Sequence, residues 1–259
     1  MSVGAPGYVE LHSHSAYSFL DGASLPQELV QRAAELGYAA LALTDHDSLA
    51  GAMELAVAAR ETPLKAIFGA EVTVRPEGTG AGAGGAGVGA RSAGEGLRHL
   101  TLLVREGRGW RSLCRLLTRA HAHTRERRDR RAGQPSVTLG EVCEHAEGLI
   151  CLSGCAERGV HEEPLLRELL GAFGPGGLRV ELQRPYARED LARNRRLAGL
   201  ARRIGVATVA SGDAHAHTPA RARLQDALVS LRHGLTLDAS EPLRRANHTH
   251  VLARPAAMA

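Results

Sequence analysis

The sequence predicts an α/β protein built as a β/α barrel. Two observations carry that expectation. Seven short apolar runs alternate with amphipathic stretches of helical period, the pattern of a mostly parallel sheet. Groups of His, Asp and Cys stand directly after several of those runs, at the strand ends where barrel sites collect.

The strand-like runs are Tyr8–His12, Ala39–Thr44, Ala66–Val74, His99–Val104, Gly148–Ser153, Leu178–Leu182 and Val206–Ala210. Helical patterns occupy Leu25–Leu36, Leu49–Arg60, Trp110–Ala122, Leu165–Ala172, Arg188–Ile204 and Ala220–Arg232. Ser24 is the expected N-cap of the first helix, with Gln27 at capping-box spacing and Gly37 as its stop. Two segments break the rhythm. Residues Pro76–Gly96 are almost all Gly, Ala and Ser and read as a flexible insertion. Residues Arg125–Arg131 (RERRDRR) read as a solvated basic loop; the sharper reading is a patch for a nucleic-acid backbone.

Composition narrows the class. Of 259 residues 44% are apolar, enough for a sizeable core, but only 3% are aromatic, so Leu, Val, Ala and Ile must build it. No apolar run approaches a membrane span and no leader opens the chain, so a cytoplasmic protein is expected by default. Cys114, Cys143, Cys151 and Cys155 form no CxxC pair and read as reduced thiols. The net charge is +4, and 31 of the 32 basic residues are Arg. That balance reads mainly as composition bias and does not by itself imply nucleic-acid binding.

The chemistry lies in the motifs. His12 and His14 form an HxH at the end of the first run, and side chains two apart on a strand share a face, so both imidazoles can reach one ion. A second HAH, His121–His123, reads as an exposed helix end. Asp21 follows in FLDG, and TDHD places Asp45, His46 and Asp47 after the second run. Glu71 is a carboxylate inside an apolar run, where burial demands pairing or a metal. His99 opens HLTLLV, Cys155 ends SGC, and Asp213 and His215 form a DxH after the last run. Each motif alone has an ordinary explanation, as a strand histidine, a buried thiol or an edge carboxylate. Together they suit Zn²⁺ or Mn²⁺ better than Mg²⁺ or Ca²⁺. Nine candidate ligands exceed the roughly four that one tetrahedral ion takes, so two or three ions are implied. Such clusters suit phosphoester chemistry.

The order HSH, LDG, TDHD, GAE, HLTLL, SGC, GDAH resembles the PHP (polymerase and histidinol phosphatase) superfamily from about Tyr8 to the C-terminus. It looks closest to the N-terminal PHP domain of bacterial C-family DNA polymerases, the DNA polymerase III α-subunit type. The wording LHSHSAYSFLDGAS and LQDALVSLRHGLTLD resembles the error-prone branch. The resemblance implies one PHP domain over residues 1–259, a distorted seven-stranded β/α barrel of TIM-like type with three divalent ions, Zn²⁺ or Mn²⁺. It further implies that His12, His14, Glu71 and Asp213 hold one ion, and that Asp21, His46 and His215 hold a second. His99 and Cys155 hold the third with Glu71 bridging, and Asp45 and Asp47 stand behind the ligands. It implies a phosphoesterase with 3′–5′ exonuclease activity on a single-stranded DNA 3′ end, attached to a polymerase body that these residues do not contain. The other readings are a structural metal module of the polymerase and a free-standing phosphatase of the histidinol-phosphate type. The Gly/Ala-rich stretch before His99 is longer than that family's pattern.

Overall fold

The computed structural model describes residues 8–78, 96–122, 124, 134–245 and 248–258. Residues 79–95 of the expected insertion, the RERRDRR run and His123 lie outside them. The strands are β1 (Val9–Glu10), β2 (Ala40–Leu43), β3 (Lys65–Arg75), β4 (Arg98–Val104), β5 (Val137–Thr138), β6 (Leu149–Leu152), β7 (Leu178–Gln183) and β8 (Ala207–Ser211). The helices are α1 (Pro26–Glu35), α2 (Ala52–Arg60), α3 (Gly107–Ala122), α4 (Leu139–Glu144), α5 (Glu163–Gly177), α6 (Asp190–Ile204), α7 (Pro219–His233), α8 (Leu237–Ser240) and α9 (Pro255–Met258). All seven expected strands and six expected helices are present, with ends shifted by a few residues.

The described residues gather into two compact units. The first comprises Met1–Gly69, Leu182–Arg195 and Ala210–Ala259, and the second Ala70–Glu181 and Arg196–Val209.

In the first unit β1 pairs with β2 and β2 with the start of β3, all parallel. The register sets Val9 beside Ala40 and Leu43 beside Phe68. Helix α1 buries Leu29, Val30 and Ala33 against Leu41, Leu43, Leu55 and Leu64. The i, i+4 step from Leu29 to Ala33 keeps both on one helix face, and each fully buried Leu contributes about 2 kcal/mol. The start of α1 differs from expectation. Leu25, not Ser24, stands at its N-cap, and its N–H donates to the Glu28 carboxylate at 2.8 Å. Ser24 is buried and accepts the His217 N–H at 2.9 Å instead. Tertiary pairing thus outcompetes the local cap. Gly37 ends the turn at φ +75°, as a stop requires.

In the second unit β3 pairs with β5 and β6 with β7 in parallel, whereas β4 and β6 run antiparallel, with Thr101 beside Leu152. Strand β5 and helix α4 have no counterpart in the sequence reading. Thr138 caps α4, accepting the Glu141 N–H while the Glu141 carboxylate accepts the Thr138 N–H. Helix α5 is broken at Gly174, φ +67°, immediately before Pro175, which cannot continue the ladder. Its buried side chains include Leu166 and Leu169. No helix among the described residues is long and apolar enough to cross a membrane.

Candidate metal centre

In the first unit the HxH and DxH motifs are stitched together by their backbones. Ser13 pairs with Ala214; the His14 N–H donates to the Ala214 carbonyl at 2.7 Å and the Ala214 N–H to the His12 carbonyl at 3.0 Å. This register puts His12 and His14 beside Asp213 and His215. Ser13 faces away, its hydroxyl donating to the Ala42 carbonyl at 2.6 Å. Buried Glu10 fixes both segments. Its carboxylate accepts the N–H groups of His12 and Gly212 and the Tyr8 hydroxyl. Burial pushes the Glu10 carboxyl up to about 7 against those three donors. A Cβ on Gly212 would stand 2.6 Å from Glu10 Oε2, which accounts for the glycine of GDAH.

The side chains converge. Asp213 Oδ1 lies 3.3 Å from His14 Nε2 and 3.6 Å from His12 Nε2. Asp21 Oδ2 lies 3.0 Å from His46 Nε2 and 3.7 Å from His215 Nε2. The His14 ring stacks on His46 and on His215, with centroids 4.2 and 4.3 Å apart. These three histidines each offer a nitrogen within 4.8 Å of the others.

Hydrogen bonding fixes the tautomers. Ser18 Oγ donates to Asp45 Oδ1 at 2.8 Å, so its oxygen must accept from His14 Nδ1 at 3.2 Å and from the His46 N–H at 3.1 Å. A neutral His14 then carries its lone pair on Nε2, facing the Asp213 carboxylate. His215 Nδ1 donates to the Asp213 carbonyl at 2.9 Å, and its Nε2 is buried with no hydrogen-bond partner. Burial, with Arg245 alongside, holds His215 well below the usual imidazole range despite Asp213 and Asp21. Burial would raise Asp21 and Asp213, but His215 acts on both, with Arg245 and His46 on Asp21 and His12 and His14 on Asp213. Both carboxyls sit well below the ordinary range. The result is a buried cluster in which imidazole nitrogens face ionised carboxylates, a donor set that a cation between them would satisfy.

In the second unit Glu71, 1% exposed in mid-β3, lies 3.0 Å from His99 Nδ1, and Cys155 Sγ is 3.8 Å from the same nitrogen. The SGC turn is closed by the Gly159 N–H on the Cys155 carbonyl and the Val160 N–H on the Ser153 carbonyl. Imidazole, carboxylate and thiol make a donor set for a borderline-soft ion.

Of the nine residues, six belong to the first unit and three to the second. Asp45 and Asp47 are buried, and Asp47 holds φ +48°. Asp45 also accepts the N–H and hydroxyl of Ser15. Sequence reading missed Glu10, Ser15, Ser18 and His250. Buried His250 Nδ1 lies 3.1 Å from the Asp213 carbonyl and 3.4 Å from Asp213 Oδ2, and together with Asp213 and His215 it forms another metal-competent group. The serine spacing in HSHSAYS was visible, but nothing local tied it to Asp45.

Residues 10–185 match the model of the PHP domain. The chain belongs to the PHP family. Within that match stand His12 to Cys155 of the candidate set; Asp213 and His215 lie beyond it. Three curated relatives of this PHP chain are called error-prone DNA polymerase. That of Mycobacterium tuberculosis strain H37Rv is 38% identical over 251 residues, 90% of this chain and 21% of the relative. That of Anaeromyxobacter sp. strain K is 38% identical over 240 residues, with 90% and 19% covered. That of Cutibacterium acnes is 37% identical over 242 residues, with 89% and 20% covered. The chain thus spans about a fifth of the length of these relatives. A crystal structure from Bifidobacterium adolescentis, named for metal-dependent phosphoesterase activity, aligns with TM-score 0.57 at 18% identity over 82% of this chain and 88% of its own. An amidohydrolase from Chromobacterium violaceum, with bound sulfate, aligns with TM-score 0.50 at 21% identity over 80% and 87%. These likenesses concern the fold, and they agree with the α/β-barrel class expected from the sequence.

Proposed function

We propose that this chain is the metal-dependent phosphoesterase domain of an error-prone DNA polymerase, removing nucleotides from single-stranded DNA 3′ ends. One observation carries the reading. Buried His14 Nε2 and an Asp213 carboxylate oxygen lie 3.3 Å apart, and His215 Nε2 is buried without a hydrogen-bond partner close to Asp21. Imidazole nitrogens and ionised carboxylates converging in the interior are the donor set that a divalent cation takes. His12, His14, Asp21, His46, Asp213 and His215 are ligands in the first unit, and Glu71, His99 and Cys155 in the second. The reading has three divalent ions, Zn²⁺ or Mn²⁺, with Asp45 and Ser18 orienting His14. When bound, such ions supply an activated water and stabilise charge on a phosphoryl group. The protein's own part is to keep His215 neutral, the imidazoles correctly turned, and Asp21 and Asp213 ionised. Family membership and the length of the polymerase relatives support one PHP domain within a longer, cytoplasmic polymerase acting in DNA replication and repair.

The test incubates the purified chain, loaded with Mn²⁺ or Zn²⁺, with 5′-labelled single-stranded DNA. A ladder of fragments shortened from the 3′ end, abolished by Asp213→Asn, is expected. Intact DNA in the presence of bound metal overturns it. That outcome selects a structural module, which one contact favours: Arg245 Nη1 already holds Asp21 Oδ1 at 2.8 Å.

A further inference from the structure

The loop Ser15–Gly22 carries Asp21 and is tied inward at nearly every residue. The Ser15 and Ser18 hydroxyls donate to Asp45 and the Tyr17 hydroxyl to Glu54. The Asp21 and Gly22 N–H groups both donate to the Ser18 carbonyl at 2.9 Å. A Cβ on Gly22 would meet the Ser15 carbonyl oxygen at 1.9 Å, so the loop tolerates no side chain there. Leu20 is held at φ +59°, a conformation that costs a leucine about 1 kcal/mol. Against this anchoring Phe19 points outward, 82% exposed, in a chain with three Phe in all. Phe19 and Asp21 are two residues apart, so their Cα atoms lie within about 7 Å.

Asp21 is also where arginines gather. Arg245 Nη1 lies 2.8 Å from Oδ1 and half-exposed Arg232 Nη1 3.6 Å from Oδ2. One short loop thus joins an exposed aromatic face, two guanidinium groups and the His/Asp cluster. A small phosphate ester is enclosed by a concave site and has no use for an aromatic ring standing in solvent. A single strand has: its bases stack on projecting aromatic side chains while cationic groups track its phosphates. The loop's hydrogen bonds already fix its backbone, so little ordering entropy is lost when the ring is covered.

We propose that Phe19 stacks a base near the end of a single-stranded nucleic acid while Arg232 and Arg245 hold the phosphate delivered to the cluster. This rests on the phosphoesterase reading of the cluster and names the residues that seat its strand. The test is a binding cycle with the full chain and fluorescein-labelled oligothymidylates, intact or abasic at one of the last three positions, followed by anisotropy. Phe19→Ala, with its melting temperature and metal content checked against the parent, is expected to weaken intact oligonucleotide binding about 5- to 150-fold, the range for one stacked base. One abasic position is expected to weaken the parent by a similar factor and the Phe19→Ala variant no further. Phe19→Trp is expected to retain affinity and to be quenched on binding. Equal affinity of parent and variant for every oligonucleotide, or losses that simply add, overturns the proposal. Coupling without hydrolysis would retain it and remove the phosphoesterase reading; hydrolysis without coupling would do the reverse.

Discussion

Gly154→Ala separates two costs that a glycine can hide. Gly154 lies at φ +90°, and a Cβ there would stand 2.0 Å from the His99 carbonyl oxygen and 3.1 Å from Gly159 Cα. Gly205, also in the second unit, lies at φ +77° with nothing within 4 Å of its Cβ position. The backbone term is therefore similar for both, about 1–2 kcal/mol for an alanine at positive φ. Only Gly154 adds a collision. A Cβ contact below 3.0 Å is essentially never found, so the 2.0 Å approach forces His99 or the SGC turn to move by about 1 Å. The neighbour is backbone, paired through the His99 N–H to the Arg158 carbonyl at 2.8 Å, and cannot swing aside. The total for Gly154→Ala is about 3 kcal/mol or more. At roughly 2–4 °C per kcal/mol for a chain of this size, Gly205→Ala lowers the melting temperature by about 2–8 °C and Gly154→Ala by about 6–12 °C or more. Thermal melts followed by circular dichroism measure the difference. Because Cys155 lies in that turn and His99, paired with Glu71, lies against it, Gly154→Ala is also expected to lower bound metal while Gly205→Ala does not. Equal losses of melting temperature, with unchanged metal in both, would refute the steric argument.

Two further substitutions bear on the first unit. Asp45→Ala strands the Ser15 N–H and two serine hydroxyls in the interior, an expected loss of about 3 kcal/mol in urea unfolding, together with weaker metal binding as His14 loses its fixed Ser18 partner. A stable variant with parental metal affinity would deny Asp45 that orienting part. Leu29→Ala, at a fully buried position of α1, is expected to cost about 2–5 kcal/mol with the metal content of the folded fraction unchanged.

The alternation of apolar and amphipathic runs is dictated by burial, so β1 to β4, β6 to β8 and the six longer helices were legible from period alone. Strand β5 and helix α4 were not: β5 has two residues and, unlike β1 within Tyr8–His12, lies in no longer strand-like run, six residues are too few to show a helical period, and α4 is announced only by its Thr138 and Glu141 cap. The antiparallel sense of β4 against β6 is also absent from any period, since both directions bury alternate residues alike. At the site, Glu71 stood out because a carboxylate in an apolar strand has few explanations. Glu10 is equally buried but sits where the run is already mixed, so its link to Gly212 becomes visible only when residues about two hundred apart are brought together. Ser18 is tied to Asp45 and His250 to Asp213, partners remote in sequence, and no spacing rule reports those ties. Phe19 was invisible for the opposite reason: a sequence does not say which aromatic is left in water.

The central claim is that the His, carboxylate and thiol groups are metal ligands. Elemental analysis of the chain, purified without chelator and dialysed after loading with Mn²⁺ or Zn²⁺, tests it most directly. Three ions per chain are expected, with fewer in Asp213→Asn. A folded chain that retains no ion after loading would contradict the account.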